Sequence, residues 1–203
     1  MRQRAACIEE NALANISLAR YPASMATILI LPEAVDQHSD NYRRWEELGA
    51  NGDLKLYENH RIETDRHGHV VMSPYACSRH GQYQSRLAIL LDRFLPGGVP
   101  LTECPVSTSD GVKLVDAGWM TRVRFEPMRE FVCFERAHEI CIEVLSASNT
   151  RREIDERRTL FFEIGCVEFW TVGLSGELRF SNVDQADIPR SLLCPAFPIR
   201  IVI

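Results

Sequence analysis

The chain has 203 residues, 45% of them hydrophobic and 25% charged, with a formal net charge of −5. That suits one globular domain with a real core, and no apolar run approaches the roughly 20 residues a membrane helix requires. The negative total argues against a protein that coats nucleic acid by general electrostatics, yet it leaves room for a local basic face beside an acidic metal site. Seven scattered cysteines form no CxxC pair, so neither a zinc cluster nor a disulfide framework is indicated, and a reducing cytoplasm is the expected home. No apolar stretch follows Arg2 and Arg4, so no secretory leader is expected.

Residues 1–39 read as a partly irregular N-terminal extension in which Met25 is a candidate start, and residues 40–203 as a single domain. Residues 42–48 predict a short helix stopped at Gly49. Residues 54–62 and 69–72 read as two strands of a hairpin, reversed between Asp65 and Gly68. His60, His67 and His69 cluster there; metal binding is one reading, and solvated turn residues are the favoured one. Leu87, Leu90, Leu91 and Phe94 then fall at i, i+3, i+4 and i+7, the stripe of an amphipathic helix that stops at Pro96-Gly97-Gly98. His80 opens this helix and is a further candidate to face the site or a DNA phosphate, although such a histidine is more often a cap or surface residue.

Three strand-like runs follow at 99–106, 112–120 and 139–145, the first two separated by a turn cluster at 107–111. The link 121–138 is long and irregular. A second helix spans about 150–164, with Ser148 or Asn149 as its cap and Gly165 at its end. Strands at 167–172 and 178–180 and an apolar tail at 192–203 complete the chain. The order helix, strand, strand, strand, helix, strand predicts an α/β fold with a mixed sheet and an N-terminal β-hairpin.

Two acids sit where a core strand should be apolar. In residues 139–145, Ile140, Ile142 and Val144 point to one face and Cys141, Glu143 and Leu145 to the other. Both faces are otherwise apolar, so Glu143 is set into a central strand. Asp116 interrupts the run 114–119 in the same way. A buried carboxylate costs several kcal/mol (roughly) unless it is paired or binds a cation. Two on consecutive strands can converge, and adjacent strands hold side chains about 3 to 5 Å apart. Hard oxygen ligands suit Mg²⁺ or Mn²⁺, which lowers the pKa of bound water. On the second helix Glu153 lies one turn before Arg157, a spacing that lets the two meet while Arg157 leans toward the strand bearing Glu143.

Leu114-Val-Asp-Ala-Gly-Trp119, Ile142-Glu-Val-Leu-Ser-Ala-Ser-Asn-Thr150 and Gly165-Cys-Val-Glu-Phe-Trp170 resemble the Uma family of restriction-endonuclease-like proteins, within the PD-(D/E)XK nuclease superfamily. The resemblance spans about residues 40 to 203. It implies a restriction-endonuclease-like core and DNA as partner. It also implies metal ligation by Asp116, Glu143 and the Val144 carbonyl, with the superfamily lysine falling at Arg157 and the acid one turn earlier at Glu153. Val115 replaces the proline before the aspartate.

Lysine can lose its proton and act as a base; arginine essentially cannot. The leading expectation is therefore a metal-dependent DNA endonuclease. The alternative is a catalytically weak or inactive nuclease-fold DNA-binding or regulatory protein, because the lysine is replaced by Arg157. A third class is a dimeric interaction protein whose acids are merely salt-bridged. No membrane partner is expected, and a homodimer is one expected state.

Overall fold

The computed structural model describes residues 36–50, 60–74 and 77–203. Helix α1 (Gln37–Ala50) is longer than residues 42–48 predict. Its buried Asn41 donates to Ser107 Oγ and to the Thr108 carbonyl, both at 2.9 Å, which ties the helix to the sheet. Strands β1 (His60–Thr64) and β2 (Val70–Pro74) form the hairpin as a separate two-stranded antiparallel sheet. Of the first predicted strand, residues 54–59 lie outside the described residues. The reversal is built on Asp65, whose carboxylate accepts the His67 and His69 amides at 2.9 Å each, and on Gly68 at φ +75°. His60, His67 and His69 are all exposed.

The apolar stripe becomes the inner face of α2 (Ser78–Phe94): Leu87 and Leu91 are wholly buried and Leu90 nearly so. It packs on a five-stranded sheet formed by β3 (Gly98–Thr108), β4 (Gly111–Thr121), β5 (Ile140–Val144), β6 (Glu168–Val172) and β7 (Leu178–Asn182). The strands lie side by side in chain order, antiparallel except for β5 and β6. The link after β4 holds more order than its composition suggests. A short helix α3 (Arg122–Phe125) is capped by Thr121, and a 3₁₀ turn (Glu126–Met128) follows with Pro127 in its first turn, where a missing N–H costs nothing.

Parallel strands require a crossover, which α4 (Arg151–Glu163) supplies. Its N-cap is Thr150 rather than Ser148 or Asn149. Thr150 Oγ1 accepts from Glu153 N, and the Glu153 carboxylate accepts from Thr150 N at 2.8 Å, a capping box. Asn149 instead folds back to accept from Ser146 N. The order α2-β3-β4-β5-α4-β6 is the α/β order expected of the sequence, in a mixed sheet.

Alternation along β5 separates two cores. Ile140, Ile142 and Val144 join Leu87, Leu91 and Trp170 on the α2 side, while Cys141 joins Phe161 of α4 and Phe169 on the other. The tail packs back as its composition suggests, with Phe197 and Ile201 buried and Ile201 N bonded to the Gly176 carbonyl at 2.7 Å. Buried Glu168 anchors it, accepting from the Leu192 and Leu193 amides and from Trp170 Nε1. Among the described residues every cysteine is free, and no helix is long and apolar enough to cross a membrane.

Candidate active site

Asp116 and Glu143 come from neighbouring antiparallel strands, paired through Ala117–Ile142, Gly118–Cys141 and Trp119–Ile140. Both are buried, with side chains 2% and 7% exposed. Asp116 Oδ2 accepts the Val144 amide at 2.8 Å, so the backbone of β5 locks the carboxylate across the strand gap. Its other oxygen accepts from the Arg61 guanidinium, which also donates to the Leu114 carbonyl. Burial pushes the Asp116 carboxyl up, but His80, Arg61 and the Val144 amide outweigh it and hold it at about 2.

Glu143 sits in the opposite regime. Burial lifts its carboxyl to about 8, repulsion from Asp116 and Glu63 adds to that, and the attraction of Arg157 and Arg61 does not offset it. Arg157 Nε lies 3.3 Å from Glu143 Oε1, yet that oxygen is buried with no aligned hydrogen-bond donor among the described residues.

Arg157 reaches the site from α4, but its partner is not Glu153. The Glu153 carboxylate is exposed and engaged in the capping box. Arg157 instead forms a bidentate pair with Glu63 of β1, at 3.0 and 2.9 Å, and donates to the Leu114 carbonyl. Glu63 also accepts from Leu114 N at 2.9 Å. Although burial pushes it up, Arg157 and Arg61 hold its carboxyl below the usual range. Arg157 itself is held charged: burial opposes this, and Glu143 and Glu63 overcome it. Its charge is paired with Glu63, which pins Arg157 beside Glu143.

His80 is not a surface cap. Its side chain is 12% exposed, and Nε2 lies 3.4 Å from Asp116 Oδ2, buried without a hydrogen bond. One ligand atom each from His80, Glu103 and Asp116 falls within a mutual 4.8 Å. Glu103, on β3, adopts φ +50°, the left-handed region that L residues rarely visit. Gln84, one turn after His80, donates to the Glu103 carboxylate and, at 3.1 Å, to the Asp116 carbonyl. A cleft of about 580 Å³ borders this cluster, lined in part by Trp45, Leu48, His60, Arg61, Gln84 and Glu103.

The donor set fits a divalent cation. Glu63, Asp116 and Glu143 lie against Arg61 and Arg157, Glu103 stands beside Asp116, and two buried ligand-type atoms, Glu143 Oε1 and His80 Nε2, are unbonded among the described residues.

A comparison with known protein-family models finds no match, and neither does one with curated proteins. Among solved structures, the fold matches that of an Anabaena variabilis protein described as "a putative nuclease belonging to DUF820". The TM-score is 0.54 at 17% identity, over 69% of this chain and 86% of that one. The two chains share a fold.

Sequence reasoning missed Arg61, Glu63, Glu103 and Gln84. Glu103 carried a usable signal, being an acid inside a strand-like run, as Asp116 is. Gln84 follows His80 by four residues, so both lie on one side of α2.

Proposed function

We propose that this chain is a metal-dependent endonuclease of the PD-(D/E)XK kind, akin to the Uma proteins, that hydrolyses phosphodiester bonds in DNA. The observation that carries the reading is the pair of buried carboxylates on neighbouring strands, Asp116 and Glu143, one with an oxygen that no donor satisfies. The fold shared with the Anabaena variabilis protein described as "a putative nuclease" supports it.

In this reading Asp116 and Glu143 hold Mg²⁺ or Mn²⁺, with the Val144 carbonyl as a further ligand. The bound ion supplies a water of lowered pKa and stabilises charge developing on phosphate. The chain's own groups prepare the seat. The Val144 amide and Arg61 keep Asp116 ionised and aimed. Glu63 holds Arg157 against Glu143, so that the second carboxylate can lose its proton next to a fixed positive charge. Arg157 keeps its own proton and serves as that charge rather than as a base. The adjoining cleft is where a nucleic-acid strand would reach the site.

The test is cleavage of plasmid DNA with Mg²⁺ and with Mn²⁺. The parent cuts, and Asp116→Asn and Glu143→Gln each lose at least about 100-fold, the scale of removing one electrostatic contributor. A parent that cuts with neither ion, or variants that cut equally well, would overturn the proposal.

A further inference from the structure

We propose that the cation bound at Asp116 is also held by His80 Nε2 and a Glu103 carboxylate oxygen, so that the seat selects a first-row transition ion over Mg²⁺. This rests on Asp116 being a cation ligand, as in the reading above, and names two further residues whose ligand atoms stand beside it.

Three elements converge on one point: α2 brings His80, β3 brings Glu103 and β4 brings Asp116. Their ligand atoms lie within 4.8 Å of one another. Around an ion with bonds of about 2.1 Å, neighbouring ligands sit about 3 Å apart and opposite ones about 4.2 Å apart, so a small side-chain adjustment closes the set. His80 Nε2 is the deciding atom. It is buried, lies 3.4 Å from Asp116 Oδ2 and makes no aligned hydrogen bond among the described residues. A histidine with a merely structural task would spend this nitrogen on a partner. Gln84 then supplies the outer support such ligands usually have, donating to both the Glu103 carboxylate and the Asp116 backbone. Gln84 is a positioning residue in this scheme.

The nitrogen decides which ion is preferred. Mg²⁺ takes oxygen ligands and dehydrates reluctantly, whereas imidazole suits first-row transition ions. An all-carboxylate seat would show little such preference.

The experiment titrates metal-free protein with Mn²⁺ and with Mg²⁺ by calorimetry, and records pulsed electron paramagnetic resonance on the Mn²⁺ form. Expected are Mn²⁺ binding at least about tenfold tighter than Mg²⁺ and a ¹⁴N modulation from a coordinated imidazole. His80→Ala should abolish the modulation and weaken Mn²⁺ binding by about 10- to 100-fold. Glu103→Gln, at an exposed position, should weaken Mn²⁺ binding while leaving the ¹⁴N signal, and it keeps the test readable if His80→Ala does not fold. Absence of the ¹⁴N modulation in the Mn²⁺-loaded parent, or unaltered Mn²⁺ binding in both variants, overturns this seat. A parent that shows the nitrogen signal but cuts no DNA overturns the nuclease reading and leaves the seat standing.

Discussion

Replacing Arg61 by methionine removes the guanidinium from Asp116, a carboxylate whose side chain is only 2% exposed against 17% for Arg61. Breaking a buried ion pair by deleting one partner costs about 3 to 5 kcal/mol, because the remaining charge is left uncompensated. Here the Val144 amide still bonds Asp116 and His80 remains 3.4 Å away, so the loss falls at the lower end, about 3 kcal/mol. In a domain of this size about 1 kcal/mol moves Tm by about 2–4 °C, which predicts a drop of about 6–12 °C without metal. A divalent cation and Arg61 compete for the same carboxylate, so the variant should gain more from metal than the parent does. At a hundredfold excess over Kd a bound ion returns about 2.7 kcal/mol, nearly the whole deficit. Thermal melts of both proteins in EDTA and in Mn²⁺ measure this. Equal melting temperatures in EDTA, or an equal metal-induced shift in the two proteins, would refute the reasoning.

Three further outcomes are expected. In EDTA, stability should fall as pH rises from about 4.5 to about 8, because the fold keeps the Glu143 proton that the unfolded chain releases. It should fall again below pH 3.8 toward about 2, where the fold must protonate Asp116. Urea midpoints across pH record both limbs, and Glu143→Gln should remove the alkaline one. Thr150→Ala deletes the α4 cap and should cost about 1 kcal/mol, lowering Tm by about 2–4 °C while metal binding stays unchanged in calorimetry. Gly118→Ala places a methyl 2.8 Å from both the His138 ring and the Ile140 carbonyl, and should cost about 1–3 kcal/mol in denaturant unfolding. An unchanged midpoint would refute this, since both the His138 ring and the Ile140 carbonyl would have to yield.

The sheet and its helices were legible because each announces itself locally. Leu87, Leu90 and Leu91 share one helical face, and β5 alternates Ile140, Ile142 and Val144 against Cys141 and Glu143. The acids Asp116 and Glu143 were conspicuous for the same reason: strand periodicity leaves them no solvated side to face. Their counter-charges were not legible. Arg61 and Glu63 lie some 50 residues upstream of β4, and nothing local states that β1 will dock there. Glu153 shows the reverse error. Its spacing from Arg157 is right for a pair, but Thr150-x-x-Glu153 is also a capping box, and the shorter-range bond to the helix terminus claims the carboxylate. Tertiary contact then leaves Arg157 to Glu63.

The hairpin is a sheet of its own, joined to β4 by side chains rather than by a strand ladder: Thr64 accepts from Val112 N and Lys113 Nζ, and Glu63 accepts from Leu114 N. It nonetheless brings both the guanidinium on Asp116 and the carboxylate that steadies Arg157. A folding chain that has closed its central sheet but not yet seated β1 would carry two desolvated acids against one unsteadied arginine. Seating β1 therefore makes the site electrically tolerable, and a substitution in β1 can unbalance the centre of a sheet in which that strand takes no part.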